Sequence, residues 1–167
     1  MHQLRFARAA LLLLCFVSPV AADGRTDWNG YDWRGQPYGK CLEVDGQACL
    51  THHGKWDWKR NQWVDVTYAP DIRGIDLALR LTNNDRKDDD WVCVTVLFLD
   101  AAGANLAAYH ANLHIDPLSV VDDGARLSLP EAVQQRLARV DVGTKQCRKG
   151  RGQDDGVYAA VKARLPR

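Results

Sequence analysis

Ten consecutive residues, Trp91 to Asp100 (Trp-Val-Cys-Val-Thr-Val-Leu-Phe-Leu-Asp), put β-branched, aromatic or aliphatic side chains on both alternating sets. A strand with one wet face alternates apolar with polar residues, and this run does not. It predicts a central strand covered on both faces, with Val92, Val94, Val96 and Phe98 on one side and Trp91, Cys93, Thr95, Leu97 and Leu99 on the other. Other strands or a helix must lie over each face, so the core is organised here.

The first 22 residues divide as an export signal does. Arg5 and Arg8 make a basic start, Ala9 to Val17 an apolar stretch too short to span a bilayer, and Val20-Ala21-Ala22 a cleavage site before Asp23. Leu14 is too bulky for the position ahead of an acylated cysteine, which argues against a lipid anchor on Cys15. Cleavage leaves 145 residues, enough for one domain with a real core. With Arg5 and Arg8 gone, 20 of the 22 basic residues face 21 acids, a balance that favours neither nucleic acid nor an anionic membrane. The expected location is periplasmic or secreted, with no transmembrane segment in the mature chain.

Four cysteines remain: Cys41, Cys49, Cys93 and Cys147. An even count in an exported chain implies two disulfides, and four cysteines allow three pairings. Asp45-Gly46 is a hairpin turn signal. A three-residue loop Val44-Asp45-Gly46, with Gly46 left-handed, would set Cys41 opposite Cys49 and leave Cys93 for Cys147. A zinc site would use the same residues, but the Cys-x-x-Cys spacing is missing.

Around the central run the chain reads as strands. Residues 23–40, rich in Gly, Asp, Asn and Pro, suggest an irregular arm whose Trp28, Tyr31, Trp33 and Tyr38 staple it to a domain spanning 41–167. Trp56 and Trp58 would share one strand face, Asn61-Gln62 would turn, and Val64, Val66 and Tyr68 would point inward up to Pro70. From Gly74 to Thr82 the period is two, with Ile75, Leu77, Leu79 and Leu81 inside, and a meander into the central strand is the economical connection. Asn105 to Ile115 fits a strand better than a helix, with Tyr109, Ala111, Leu113 and Ile115 on one face and His110, Asn112 and His114 on the other. Ser128-Leu-Pro-Glu131 has the form of a capping box, predicting a helix from Leu129 to about Val140 with Val133 and Leu137 facing the domain. Arg139 to Cys147 returns as a strand, and alternation of Val157, Ala159, Val161, Ala163 and Leu165 predicts a last one. The fold class expected is mainly β, an antiparallel sandwich with one short helix.

The order of an alternating strand, Thr82-Asn83-Asn84-Asp85, the strand ending Val94-Thr95-Val96-Leu97-Phe98-Leu99-Asp100, then Ala101-Ala102-Gly103 and another strand resembles the middle of the bacterial FxLYD-type domains. The similarity covers about Ile75 to Ile115. It implies an exported immunoglobulin-like β-sandwich and a non-catalytic module, without a ligand.

Catalytic candidates are few. Ser119 and Ser128 lack a Gly-x-Ser-x-Gly setting, the glutamates are Glu43 and Glu131 alone, and there is no phosphate-binding glycine loop. His52, His53, His110 and His114 could supply an acid and a base, or metal ligands, for a small hydrolase. On a strand, however, His110 and His114 lie roughly 13 Å apart, too far to share an ion. Asp85, Asp88, Asp89 and Asp90 could gather calcium but lack the EF-hand spacing. No cofactor is implied. What stands out is the stretch from Lys55 to Trp63, where Trp56, Trp58 and Trp63 fall within eight residues beside Lys59 and Arg60. Cations beside indoles suit a protein-recognition surface, and Arg60 and Lys59 could stack on the rings. The expected function is therefore an exported protein-interaction domain, such as an inhibitor or immunity-type protein acting on another exported protein. The alternative is a carbohydrate-binding module for glycan or peptidoglycan, with Trp56, Trp58 and Trp63 as its platform.

Overall fold

The computed structural model describes residues 24–56 and 61–166; the expected export signal lies outside them, as do Trp58, Lys59 and Arg60. The described residues form β1 (Asp32–Pro37), β2 (Glu43–Asp45), β3 (Ala48–Lys55), β4 (Gln62–Asp71), β5 (Gly74–Asn83), β6 (Asp90–Leu99), β7 (Asn105–Ile115), β8 (Ser119–Ser128), α1 (Glu131–Gln134), β9 (Arg139–Gln146) and α2 (Asp155–Lys162). The protein is mainly β. Its two antiparallel sheets run in the order β1-β9-β6-β7 and β2-β3-β4-β5-β8, and their inner faces meet in one core.

Within that core Val64, Val66, Tyr68, Ile75, Leu77, Leu79 and Leu81 of the five-stranded sheet pack with Val92, Val94, Val96, Phe98, Val140 and Val142 of the four-stranded one. β6 is interior, paired with β7 on one side and β9 on the other. Its second set is covered too: Leu97 and Leu99 lie with Trp28, Ala108 and Val161 in a separate cluster, against which Tyr31, Trp33, Val157 and Tyr158 pack. The two-faced burial anticipated for this run is what the structure has, and an N-terminal segment with a C-terminal helix supplies the outer cover.

Several expectations need correction. The arm is not wholly irregular: β1 is an edge strand on β9, with Trp33 opposite Gly143, because alternation is hidden there under turn-forming residues. β5 and β6 are not neighbours in a meander. Both carry a full apolar row, and two such rows are buried together by facing each other across the core rather than lying side by side. The buried Asn83 holds the crossing, its Nδ2 donating to the carbonyls of Asp88 (2.7 Å) and Asp116 (3.2 Å). The last element is helix α2, not a strand. Val157, Tyr158, Val161 and Leu165 form a helical stripe at spacings of three and four, while Ala159 and Ala163 are exposed. Finally, α1 is a single turn with no side-chain cap, because Ser128 is used by β8, a strand whose inward-turned set of Val121, Asp123, Ala125 and Leu127 is interrupted by an aspartate and never fully buried.

Both disulfides pair as expected, Cys41 with Cys49 and Cys93 with Cys147. The hairpin register does not follow the expectation. The turn is the two-residue Gly46-Gln47, with Gly46 left-handed at φ 58°, and it sets Val44 rather than Cys41 opposite Cys49. Cys41 lies just outside the strand, yet its Cα stands 5.2 Å from that of Cys49.

Candidate functional site

Cross-strand partners share a face, so the register of β1 on β9 decides what β1 offers the interior. Asp32 pairs with Thr144, Arg34 with Val142 and Gln36 with Val140. These three polar side chains therefore stand on the core side, at the open rim of the sandwich. Across the rim, His52 pairs with Val66 and Gly54 with Val64 on β3 and β4, which puts them on the inner face as well. Between the two rims lies a cleft of about 500 Å³ whose floor includes Val140 and Val142 and whose walls include Asp32, Arg34, Thr51, His52 and Leu42. An apolar floor with converging polar groups is the usual form of a binding site.

Gln36 latches one end of the cleft, its amide donating to the carbonyl and hydroxyl oxygens of Thr51. His52 is 9% exposed, and its Nε2 has no hydrogen-bond partner among the described residues. The ring lies where a side chain at position 54 would stand: a Cβ on Gly54 would be 2.6 Å from Nε2. Burial pulls the imidazole below its ordinary value of 6.5, opposed by the charge of Asp65 and reinforced by His53 and Arg34. His53 faces outward, with Nδ1 2.5 Å from Asp65 Oδ1 and its ring stacked on Trp63 at 4.8 Å. Lys55 Nζ sits 4.9 Å from the Trp63 ring centre.

The tryptophan surface expected from the sequence does not form as a unit. Trp56 is fully buried and belongs to the core, Trp58, Lys59 and Arg60 fall outside the described residues, and Trp63 is half-buried beneath His53 and Lys55. Trp56 therefore carries structure. Trp56→Ala is expected to cost about 3–5 kcal/mol in a urea titration, as large aromatic truncations in cores do, whereas Trp63→Ala costs about 1 kcal/mol, the worth of its ring contacts. Equal losses would return Trp56 to the surface. His52, a candidate acid, base or metal ligand from the sequence, does line the cleft, whereas nothing in the sequence points to Asp32, Arg34 or Gln36 beyond their alternation with Trp33 and Gly35.

The other histidines are engaged elsewhere. His110 is buried against Trp28 and Tyr158. It takes a hydroxyl hydrogen bond from Thr95 at Nδ1 (3.0 Å) and donates from Nε2 to the Gln153 carbonyl (3.1 Å). His114 stands on the same strand, 3.2 Å from Asp89. In the loop before β6, Asp85 Oδ1 accepts the backbone N–H groups of Lys87 and Asp88 and Asp90 accepts from Gln146, so these carboxylates point to different partners. The Cys93, Cys147 and Asp154 atoms do cluster within 4.8 Å, but the two sulfurs are joined to each other.

Burial also holds the His110 imidazole below 6.5, against the opposing pull of the Gln153 carbonyl. For both His52 and His110 the folded state thus binds the proton less well than the unfolded chain. Their contribution to stability is complete above about pH 6.5 and is lost as the pH falls toward the lower folded values. The urea midpoint is expected to drop between about pH 7.5 and 5, and the double variant His52→Gln, His110→Asn should flatten that drop. An unchanged slope in the double variant would assign the dependence to other groups.

No protein-family model matches the chain, and no curated protein matches it. Among solved structures it is similar to the enzymatically active domain of tailspike protein 4 of bacteriophage CBA120, at 12% identity over 78% of this chain and 19% of that one, with a TM-score of 0.29. The chain spans about a fifth of that structure's length.

Proposed function

We propose that this chain is an exported, non-catalytic binding domain that engages another exported protein through the cleft between β1 and β3. The observation that carries the proposal is the cleft itself, about 500 Å³, with an apolar floor, charged walls and the unpartnered Nε2 of the nine-tenths-buried His52. Two disulfides support export, and no described helix is long and apolar enough to cross a membrane. A protein ligand is favoured over a glycan because Trp56 is buried and the stacking imidazole of His53 already covers Trp63. A flat indole platform would need both rings open.

The test is positional. A photo-crosslinking side chain at Leu42 or Lys55 should capture the same exported protein, and the same probe at Lys162 on α2 should not. Capture from Lys162 alone would move the site. A glycan-array signal abolished by Trp63→Ala, without crosslinking at Leu42 or Lys55, would assign the carbohydrate class instead.

A further inference from the structure

β2 is short, and its last pairing on β3 is Glu43 with Leu50. From Thr51 to Lys55, β3 has β4 on one side and, among the described residues, no strand on the other. The carbonyl of Thr51 is taken by Gln36, which leaves, along His52 to Lys55, the alternate backbone N–H and C=O groups that turn away from β4 without a strand partner among the described residues. Exposed edges are ordinarily blunted by charge, proline or cover, because they template the pairing of a further chain.

β1, the edge on the other side of the cleft, is blunted in that way. It ends at Pro37, which has no N–H, and it carries the Asp32–Arg34 ion pair (3.0 Å). The two edges therefore differ, with β3 offering a template and β1 a wall. A chain laid antiparallel or parallel on His52–Lys55 would alternate its side chains. One set would share the face of His52 and Gly54 and look into the cleft toward Val140 and Val142. The other would share the outer face with His53 and Lys55. On that outer face Lys55 rests on the Trp63 ring and has no carboxylate partner among the described residues.

Resting on the reading that the cleft is the binding site, we propose that its occupant is an extended segment of the partner protein. The segment adds as a strand to His52–Lys55, with small aliphatic side chains turned into the cleft and acidic ones turned out beside Lys55. Strand addition takes its affinity from main-chain hydrogen bonds and its selectivity from the alternate side chains, and both elements are present here.

Nonapeptides selected by phage display on the mature protein provide the probe. The selected sequences should alternate aliphatic with acidic residues, and the amide signals of His52 to Lys55 should shift and gain exchange protection on binding. N-methylation of alternate peptide nitrogens should weaken binding about 100-fold in the register that faces β3 and leave the other register unchanged, as expected for the loss of two hydrogen bonds. Lys55→Glu should lower affinity for the acidic peptide about 10-fold, the scale of one surface charge reversal. If both N-methylated registers bind like the parent while shifts still map to the cleft, strand addition is wrong and the cleft remains the site. If the shifts map away from both β3 and Val140–Val142, the cleft reading fails with it. If no peptide is selected while the Leu42 crosslink forms, the occupant is a folded surface and not an extended segment.

Discussion

Val94→Asp should prevent folded protein from accumulating. Val94 is fully buried, paired with Ala111 on one side and Thr144 on the other, in the middle of the strand on which both layers of packing depend. A carboxylate placed there has no cation to meet. It must either stay ionised in apolar surroundings or take up a proton at neutral pH, and each course costs several kcal/mol. A domain of this size is stable by about 5–15 kcal/mol in total, and the lost valine packing adds about 2 kcal/mol more. Val94→Ala separates the two effects, since it loses the packing alone and should still fold. Soluble yield and a urea titration of both variants measure the difference. A Val94→Asp protein with a midpoint near that of the parent would mean that β6 is not interior.

The second large effect concerns the long-range disulfide. Cys93 and Cys147 are 54 residues apart in the chain, Cys41 and Cys49 only 8. Closing the longer loop restricts the unfolded chain more, by about 4 kcal/mol against about 2.5 kcal/mol in the chain-entropy model. The paired variant Cys93→Ala, Cys147→Ala should therefore lose more stability than Cys41→Ala, Cys49→Ala. The site of the longer bridge widens the gap. Both its cysteines are buried, the Asn112 amide donates to the Cys93 sulfur at 3.1 Å, and Cys147 begins the segment that leads to α2. Denaturant titrations of the two paired variants under oxidising conditions decide the order. Near-equal losses would show that the unfolded chain is already compact across 93–147.

Where a pattern depended on one strand's own side chains, the sequence disclosed it. The inward row Ile75, Leu77, Leu79, Leu81 and the double row of β6 are buried as their periodicity implies, and Asp45-Gly46 marked a turn that exists. Ambiguity entered where two periods coincide. Val157, Val161 and Leu165 satisfy both alternation and a four-residue repeat, and only the exposure of Ala159 and Ala163 separates helix from strand. The cleft could not be read at all. It arises because β2 stops short of Thr51 and because β1 pairs with β9, more than one hundred residues away. Which strand edges stay open is a property of the assembled topology. Trp56, Trp58 and Trp63 drew attention for their rarity, but Trp56 is used to fill the core.

The placement of β9 bears on how the chain can be made. β9 lies between β1 and β6, yet it is the last strand among the described residues. A polypeptide emerging amino end first offers β1 and β6 long before the strand that joins them, and until residue 146 is out, both expose unpaired edges. A stop at residue 138 would leave those edges permanently open, each able to pair with a neighbouring chain. For this topology, the interval in which a holding chaperone is useful lasts until β9 itself has emerged.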